Sequence, residues 1–404
     1  MKIRFQHIVG LFVLGVALIL TFVVGLFTYV NVTKKTLHPD LGAIRSVNAS
    51  QPSSKWTDIV ERGRQVARAE LAGQNLPGIS VAVGVGGELV WSEGFGWADL
   101  DEQVPVTPKT RFRIGTASAA LTSAAVGSLL EQNRLQLDEQ IQTYVPDFPK
   151  KEWPVTLRQV MAHVGGIRTD GGDEGPFFSQ HCERPADALR TFADGALRYE
   201  PGTQFRVSNY GYILVSAAVE SVANKPFFPY MRAQVFEPLG MTDTRADSTL
   251  EAIPDLTTFY FPRFGADPRY GLHDMREVDL SCYAGAMAFL STPSDLVRFG
   301  MAINAGKLLQ PSTVEQLQTT HRLPSGEETG YGLGWDLESE IVGGQRMRIV
   351  GHDGLLFGGM TASLMTIPER GLVIAVTSNI PYADTYSIAL KVAEAFANQD
   401  KANR

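Results

Sequence analysis

Cysteine is nearly missing from this chain: 404 residues contain only Cys182 and Cys282. So sparse a supply excludes a disulfide-framed scaffold, and neither cysteine lies in a C-x-x-C or His-rich spacing typical of a metal site. A bond between the two would need Cα atoms within about 7 Å, which spacing alone cannot establish. The simpler expectation is two unpaired thiols. Strong charge imbalance is also missing, with 36 Lys+Arg against 43 Asp+Glu and a net charge of −7. No basic run interleaved with aromatics appears, which argues against nucleic acid as a partner. There are no internal repeats and no low-complexity tracts. A composition of 44% hydrophobic and 20% charged residues excludes disorder over most of the length. A core of this size needs neither metal nor disulfide to hold it.

Charge vanishes altogether between Ile8 and Val30, a run of 23 residues. At about 1.5 Å per residue, a helix of that length crosses a hydrocarbon core of about 30 Å. A cleaved signal peptide has a shorter apolar core, about 7–15 residues, followed by small residues at the cleavage site. No A-x-A pattern follows Val30. The expected organisation is a membrane anchor over 1–35 with its span at 8–30, a linker over 36–55 and a folded domain over 56–400. Lys2 and Arg4 before the span nearly balance Lys34 and Lys35 after it, so the positive-inside rule is close to a tie. The N-terminal amine and the lack of a second span tilt the expectation toward a single-pass inner-membrane protein with its domain on the periplasmic side.

Within the domain, Trp56 to Leu71 has helical apolar spacing, and Ile79–Val85 and Glu88–Phe95 flank a Gly86-Gly87 turn as two strands. Thr116 to Gln132 is an Ala- and Leu-rich helix, apolar on most faces and so buried. The stretch from Thr156 to Ala246 is mostly helical. Strand-like runs at 347–350, 360–366 and 371–377 precede an amphipathic helix at 386–397. Strands at both ends with helices between predict an α+β fold. Its antiparallel sheet is flanked by terminal helices, and an all-helical lobe is inserted.

Several segments follow one another in a characteristic order. They are Phe112 to Thr122, Thr156-Leu157-Arg158-Gln159 through His163 to Ile167, Glu200-Pro201-Gly202 through Ser208-Asn209-Tyr210-Gly211-Tyr212, and Glu237 to Met241. Ala284 to Thr292, Tyr331 to Trp335 and Gly351-His352-Asp353-Gly354 complete the series. In this order they resemble the serine β-lactamase and penicillin-binding-protein superfamily. The resemblance covers nearly everything from Trp56 to Ala397. It is greatest to the class C-like branch, which includes the mitochondrial β-lactamase-like serine proteases of animals. That branch implies a two-lobed fold with the active site in the groove between lobes. It also implies action on, or binding of, amides and esters such as small peptides and cell-wall fragments, with no metal or other cofactor.

The resemblance also assigns positions. The family's nucleophilic Ser is Thr116 here, and the Lys three residues on is Ala119. The Tyr of its Y-S-N motif is Val207, with Ser208 and Asn209 in register. His352 and Gly354 keep the third motif, whose strand supplies a backbone N–H to the oxyanion hole. Here the two donors are expected to be the Thr116 N–H and one near Phe357 or Gly358. Thr can act as a nucleophile beside a base, but no Ser-x-x-Lys or Thr-x-x-Lys occurs anywhere. Losing a positioned base costs roughly 10²–10⁴ in rate. Tyr210 standing in for the missing Tyr, and His352 acting as base to Thr116, are the two local rescues.

Three readings follow. One is a membrane-anchored, catalytically impaired member that binds a peptide, cell-wall fragment or protein partner. Another is a working acyl-transfer hydrolase with an unusual relay, or an engineered inactive variant of one. The last is a role in assembly, since the animal relatives imply self-association. The loop from Arg168 to Pro185, with Asp170, Asp173 and Glu174, hints at a cationic or mixed ligand.

Overall fold

In a computed structural model of the chain, residues 2–168, 180–275 and 278–397 are described, without the side chains of 2–9. The acidic loop residues Asp170, Asp173 and Glu174 lie outside them.

Helix α1, Lys2–Val32, contains a 23-residue stretch, Gly10–Val32, apolar and long enough to cross a membrane, and none of it is buried in the domain. Its side chains face outward all round (Leu11, Phe12, Phe22 and Phe27 are each exposed), as a helix with no protein partner must. After the helix the chain runs against the domain. The Lys35 N–H donates to the Arg269 carbonyl (2.9 Å). The Lys34 ammonium lies 4.8 Å from the centre of the Tyr270 ring, and the His38 ring bonds the Leu76 carbonyl. Ser46–Asn48 (β1) then pairs antiparallel with the strand carrying Glu93–Phe95.

The sheet is assembled from the two ends of the domain. Its members are β1, Gly78–Val85 (β2), Glu88–Asp99 (β3), Asp336–Val342 (β4), Gln345–Leu356 (β5), Gly359–Ile367 (β6) and Leu372–Ser378 (β7). They run in the order β1-β3-β2-β7-β6-β5-β4, antiparallel throughout, with Val104–Pro105 added beside β3. The Gly86-Gly87 turn has positive φ at both residues, as a tight hairpin requires. Strand β4 was not expected. Its sequence, Asp-Leu-Glu-Ser-Glu-Ile-Val, is half-exposed at the sheet edge, so it lacks the apolar run that marks the inner strands.

Helices α2 (Thr57–Gly73) and α6 (Thr385–Ala397) cover one face. There Val60, Ala67 and Leu71 meet Ile388, Val392 and Phe396 over Val81, Ile374 and Met365. On the other face lie helix α5 (Pro293–Asn304) and a helical lobe around α3 (Ser118–Glu131) and α4 (Asn209–Ala223). Burying Leu121, Ala124, Ala125 and Leu129 completely accounts for the apolar composition of α3 on nearly every face. The α+β plan with terminal helices and an inserted helical lobe is thus the observed one. Cys182 and Cys282 correct the expectation of unpaired thiols: they form a disulfide, with Cα atoms 4.8 Å apart at a sequence separation of 100. A pairing across that separation is set by the lobe's tertiary packing, and nothing local announces it.

Candidate active site

The cleft is built where α3 begins. Phe112–Arg113 pairs with Phe289–Ser291, and Gly115–Ala117 then forms a tight turn that feeds α3. Gly115 sits at φ +53°, and a Cβ there would lie 2.4 Å from the Leu355 carbonyl oxygen. A Cβ on Gly354 would lie 2.1 Å from the Ile114 carbonyl oxygen. These two glycines let strand β5 come against the turn backbone to backbone, and only a missing side chain on both sides permits so close an approach.

That approach fixes Thr116. Its hydroxyl donates to the Asp353 carbonyl (2.9 Å) and accepts the Leu355 N–H (2.9 Å). The strand's donor to the Thr116 hydroxyl is Leu355, which follows the register shift at Gly354.

A cavity of about 230 Å³ opens beside Thr116. It is lined by Ala119, Val207, Asn209 and His352, together with His163, Tyr212, Ala286, Tyr331, Asp336, Glu338, Asp353, Leu355 and Met360. Five of the six positions expected from sequence thus converge on one space, while Gly354 stands behind it as the contact that seats Thr116. Ala119 is buried and offers only a methyl group, and Val207 sits half-exposed at the rim. Ser208 caps α4, accepting the Gly211 N–H and donating to the Arg168 carbonyl, which presents Asn209 to the cavity.

Neither local rescue is seen. Tyr210 is buried, stacked on Phe192 at 4.5 Å between ring centres, and does not line the cavity. His352 Nδ1 donates to the Asp353 carbonyl (2.7 Å), leaving Nε2 to accept the Tyr331 hydroxyl (2.9 Å). Both ring nitrogens are thereby engaged away from Thr116.

Tyr212 and Tyr331 were not expected as lining residues. Burial pushes both phenols well above their ordinary range, reinforced for Tyr331 by neighbouring Tyr212 and Asp336. Each therefore stays protonated at neutral pH and cannot take a proton. His163 packs on Tyr331 (4.8 Å between ring centres) and accepts the Ser208 N–H at Nδ1 (3.2 Å). Burial, then the neighbouring His352, pulls its pKa down to about 3, so this ring is neutral and structural.

Asp336, Glu338 and Asp353 were also missed. Asp336 accepts the Asp353 N–H (3.1 Å) and lies 3.7 Å from His352 Nδ1. Glu338 accepts the Tyr386 hydroxyl. Burial raises the Asp353 pKa to about 7, the bond from Ser363 (2.5 Å) opposes this, and the carboxylates of Asp336, Glu338 and Asp384 add to it. Among the described residues no group of three His, Cys, Asp or Glu is placed to hold a metal ion.

Comparison with known proteins agrees with this architecture. A family model described as Beta-lactamase matches residues 64–399. The bovine serine beta-lactamase-like protein LACTB, mitochondrial, is 27% identical over 79% of this chain and 76% of its own length. Among solved structures, the octameric penicillin-binding protein homologue from Pyrococcus abyssi superposes with a TM-score of 0.69 at 22% identity, over 84% of this chain and 78% of that one. The D-amino acid amidase from Ochrobactrum anthropi SV3, complexed with L-phenylalanine amide, gives 0.71 at 22% identity, over 85% and 99%.

Proposed function

The chain belongs to the beta-lactamase family, and we propose that this member has lost acyl transfer and keeps the cleft for binding. One observation carries the reading: the Thr116 hydroxyl is spent on two backbone groups, Asp353 O and Leu355 N–H. A nucleophile must pass its proton to a base as it attacks, and a peptide carbonyl is not one. The Ala119 methyl and the Val207 side chain occupy the positions where the family resemblance puts the base and its relay partner. What remains is a cavity of about 230 Å³, which we propose holds a small peptide, ester or cell-wall-like fragment.

We further propose that α1 anchors the protein in a membrane, with the domain on the non-cytoplasmic side. Its length and uniform apolar surface support the anchor. The Cys182–Cys282 bond supports an oxidising compartment for the domain, since cytosolic thiols are kept reduced.

A second reading, a hydrolase using Asp353 as base, draws on its pKa of about 7, since a base poised near the working pH is the effective one. Turnover of nitrophenyl esters and nitrocefin separates the two. The binding reading expects no turnover above buffer by the natural chain, and a gain of at least about 10²-fold when Thr116→Ser, Ala119→Lys and Val207→Tyr are combined. Turnover by the natural chain that Asp353→Asn abolishes would establish the second reading instead.

A further inference from the structure

Resting on the binding reading above, we infer that the occupant of the cleft presents a protonated amine, and not a carboxylate, to the wall formed by Asp336, Glu338 and Asp353. These three acidic residues are among those lining the cavity, and no Lys or Arg is among the described residues that do. Elsewhere the chain neutralises its buried carboxylates with arginine: Arg113 holds Asp247 at 2.6 Å, and Arg64 holds Glu93 at 2.9 Å. The cleft carboxylates have no such partner. Asp336 accepts a backbone N–H and stands 3.7 Å from the His352 ring, and Glu338 accepts a hydrogen bond from the Tyr386 hydroxyl.

The His352 ring cannot serve a ligand carboxylate without giving up Tyr331 or the Asp353 carbonyl. An anionic ligand would therefore meet negative charge with no Lys or Arg among the described lining residues to offset it, and like charge across a binding surface is strongly disfavoured. An ammonium group supplies the missing counter-charge and three donors, which suit carboxylate oxygens set on adjacent strands. The groups facing Asp353 are Asp336 and Glu338 from β4, His352 on its own strand, Ser363 from β6, and Asp384, Thr385 and Tyr386 at the start of α6. None of these is a standing cation, and burial with the neighbouring carboxylates raises the Asp353 pKa to about 7. A bound amine would supply the counter-charge that this cluster lacks.

The test compares three probes on the full chain in detergent by titration calorimetry at pH 6.5, where the α-amine, with an ordinary pKa of about 7.7–8.0, is protonated. They are phenylalanine amide carrying a free amine, N-acetylphenylalanine carrying a carboxylate, and N-acetylphenylalanine amide carrying neither. The inference predicts that the amine binds at least about tenfold more tightly than the carboxylate and that added salt narrows the ratio. The ratio should also fall close to one in Asp336→Asn/Glu338→Gln, where both hydrogen-bond acceptors are kept. A carboxylate probe that binds as tightly as the amine, a preference that survives both salt and the double variant, or no binding of any probe would overturn it. Ammonia released from phenylalanine amide with the preference intact would instead sink the binding-only reading and leave the charge inference standing.

Discussion

The Thr116 hydroxyl oxygen lies 2.9 Å from the Asp353 carbonyl oxygen and 2.9 Å from the Leu355 amide nitrogen, so its one proton and one acceptor site are both given to the strand beside it. The arrangement makes Thr116 a strut between the helical lobe and the sheet. Replacing it with Ala leaves the part-buried Leu355 N–H without this partner, while the Asp353 carbonyl keeps the bond from the His352 ring. We expect a loss of about 1–3 kcal/mol in denaturant unfolding for Thr116→Ala, under about 1 kcal/mol for Thr116→Ser, and no change in ester hydrolysis for either.

Gly115 holds the turn that makes the strut possible. With φ at +53° and the Leu355 oxygen 2.4 Å from a would-be Cβ, Gly115→Ala must strain the backbone and push β5 away. The expected cost is at least about 2 kcal/mol, read as a fall in melting temperature. A melting temperature equal to that of the natural chain would show that β5 does not sit as closely as described.

Stability should respond to pH through Asp353. Its folded pKa, about 7, is raised above the ordinary value of 3.8, so the folded state holds the proton more tightly. That contribution is complete below about pH 4 and is lost as pH rises through about 7. His163 works in the opposite sense: with a folded pKa of about 3 against 6.5, its contribution is present above 6.5 and lost as pH falls. Comparing Asp353→Asn with the natural chain isolates the first effect. The variant should gain about 1–3 kcal/mol relative to the natural chain between pH 4 and pH 8, after allowance for the partial exposure of the carboxyl. A constant difference across that range would contradict the assignment.

The Cys182–Cys282 bond closes a loop of 100 residues, and a cross-link of that span stabilises by about 2–5 kcal/mol. Reductant, or Cys182→Ser with Cys282→Ser, should lower the melting temperature of the oxidised chain by several degrees. Identical melts with and without reductant would count against the bond.

Much of this fold is legible in the sequence because its signals are local. The Gly86-Gly87 hairpin, the inner strands and the all-apolar α3 each declare themselves through period or composition. Thr116, Ala119, Val207, Asn209 and His352 are legible as a group because their motifs occur in a fixed order. What escaped reading depends on register and tertiary packing. Asp336 and Glu338 reach the cavity because β4 pairs Asp336 with Gly351 and Glu338 with Ile349, and a polar edge strand carries no apolar pattern to announce it. Leu355 meets the Thr116 hydroxyl just after the register shift at Gly354, and the cysteine pair meets only when the lobe closes.

The central claim, a cleft that binds without acylation, is tested most directly by intact mass spectrometry. The full chain would be incubated with a fluorophosphonate and, separately, with a labelled penicillin. The predicted result is an unmodified mass with either reagent. A stable stoichiometric adduct that maps to Thr116 would contradict it.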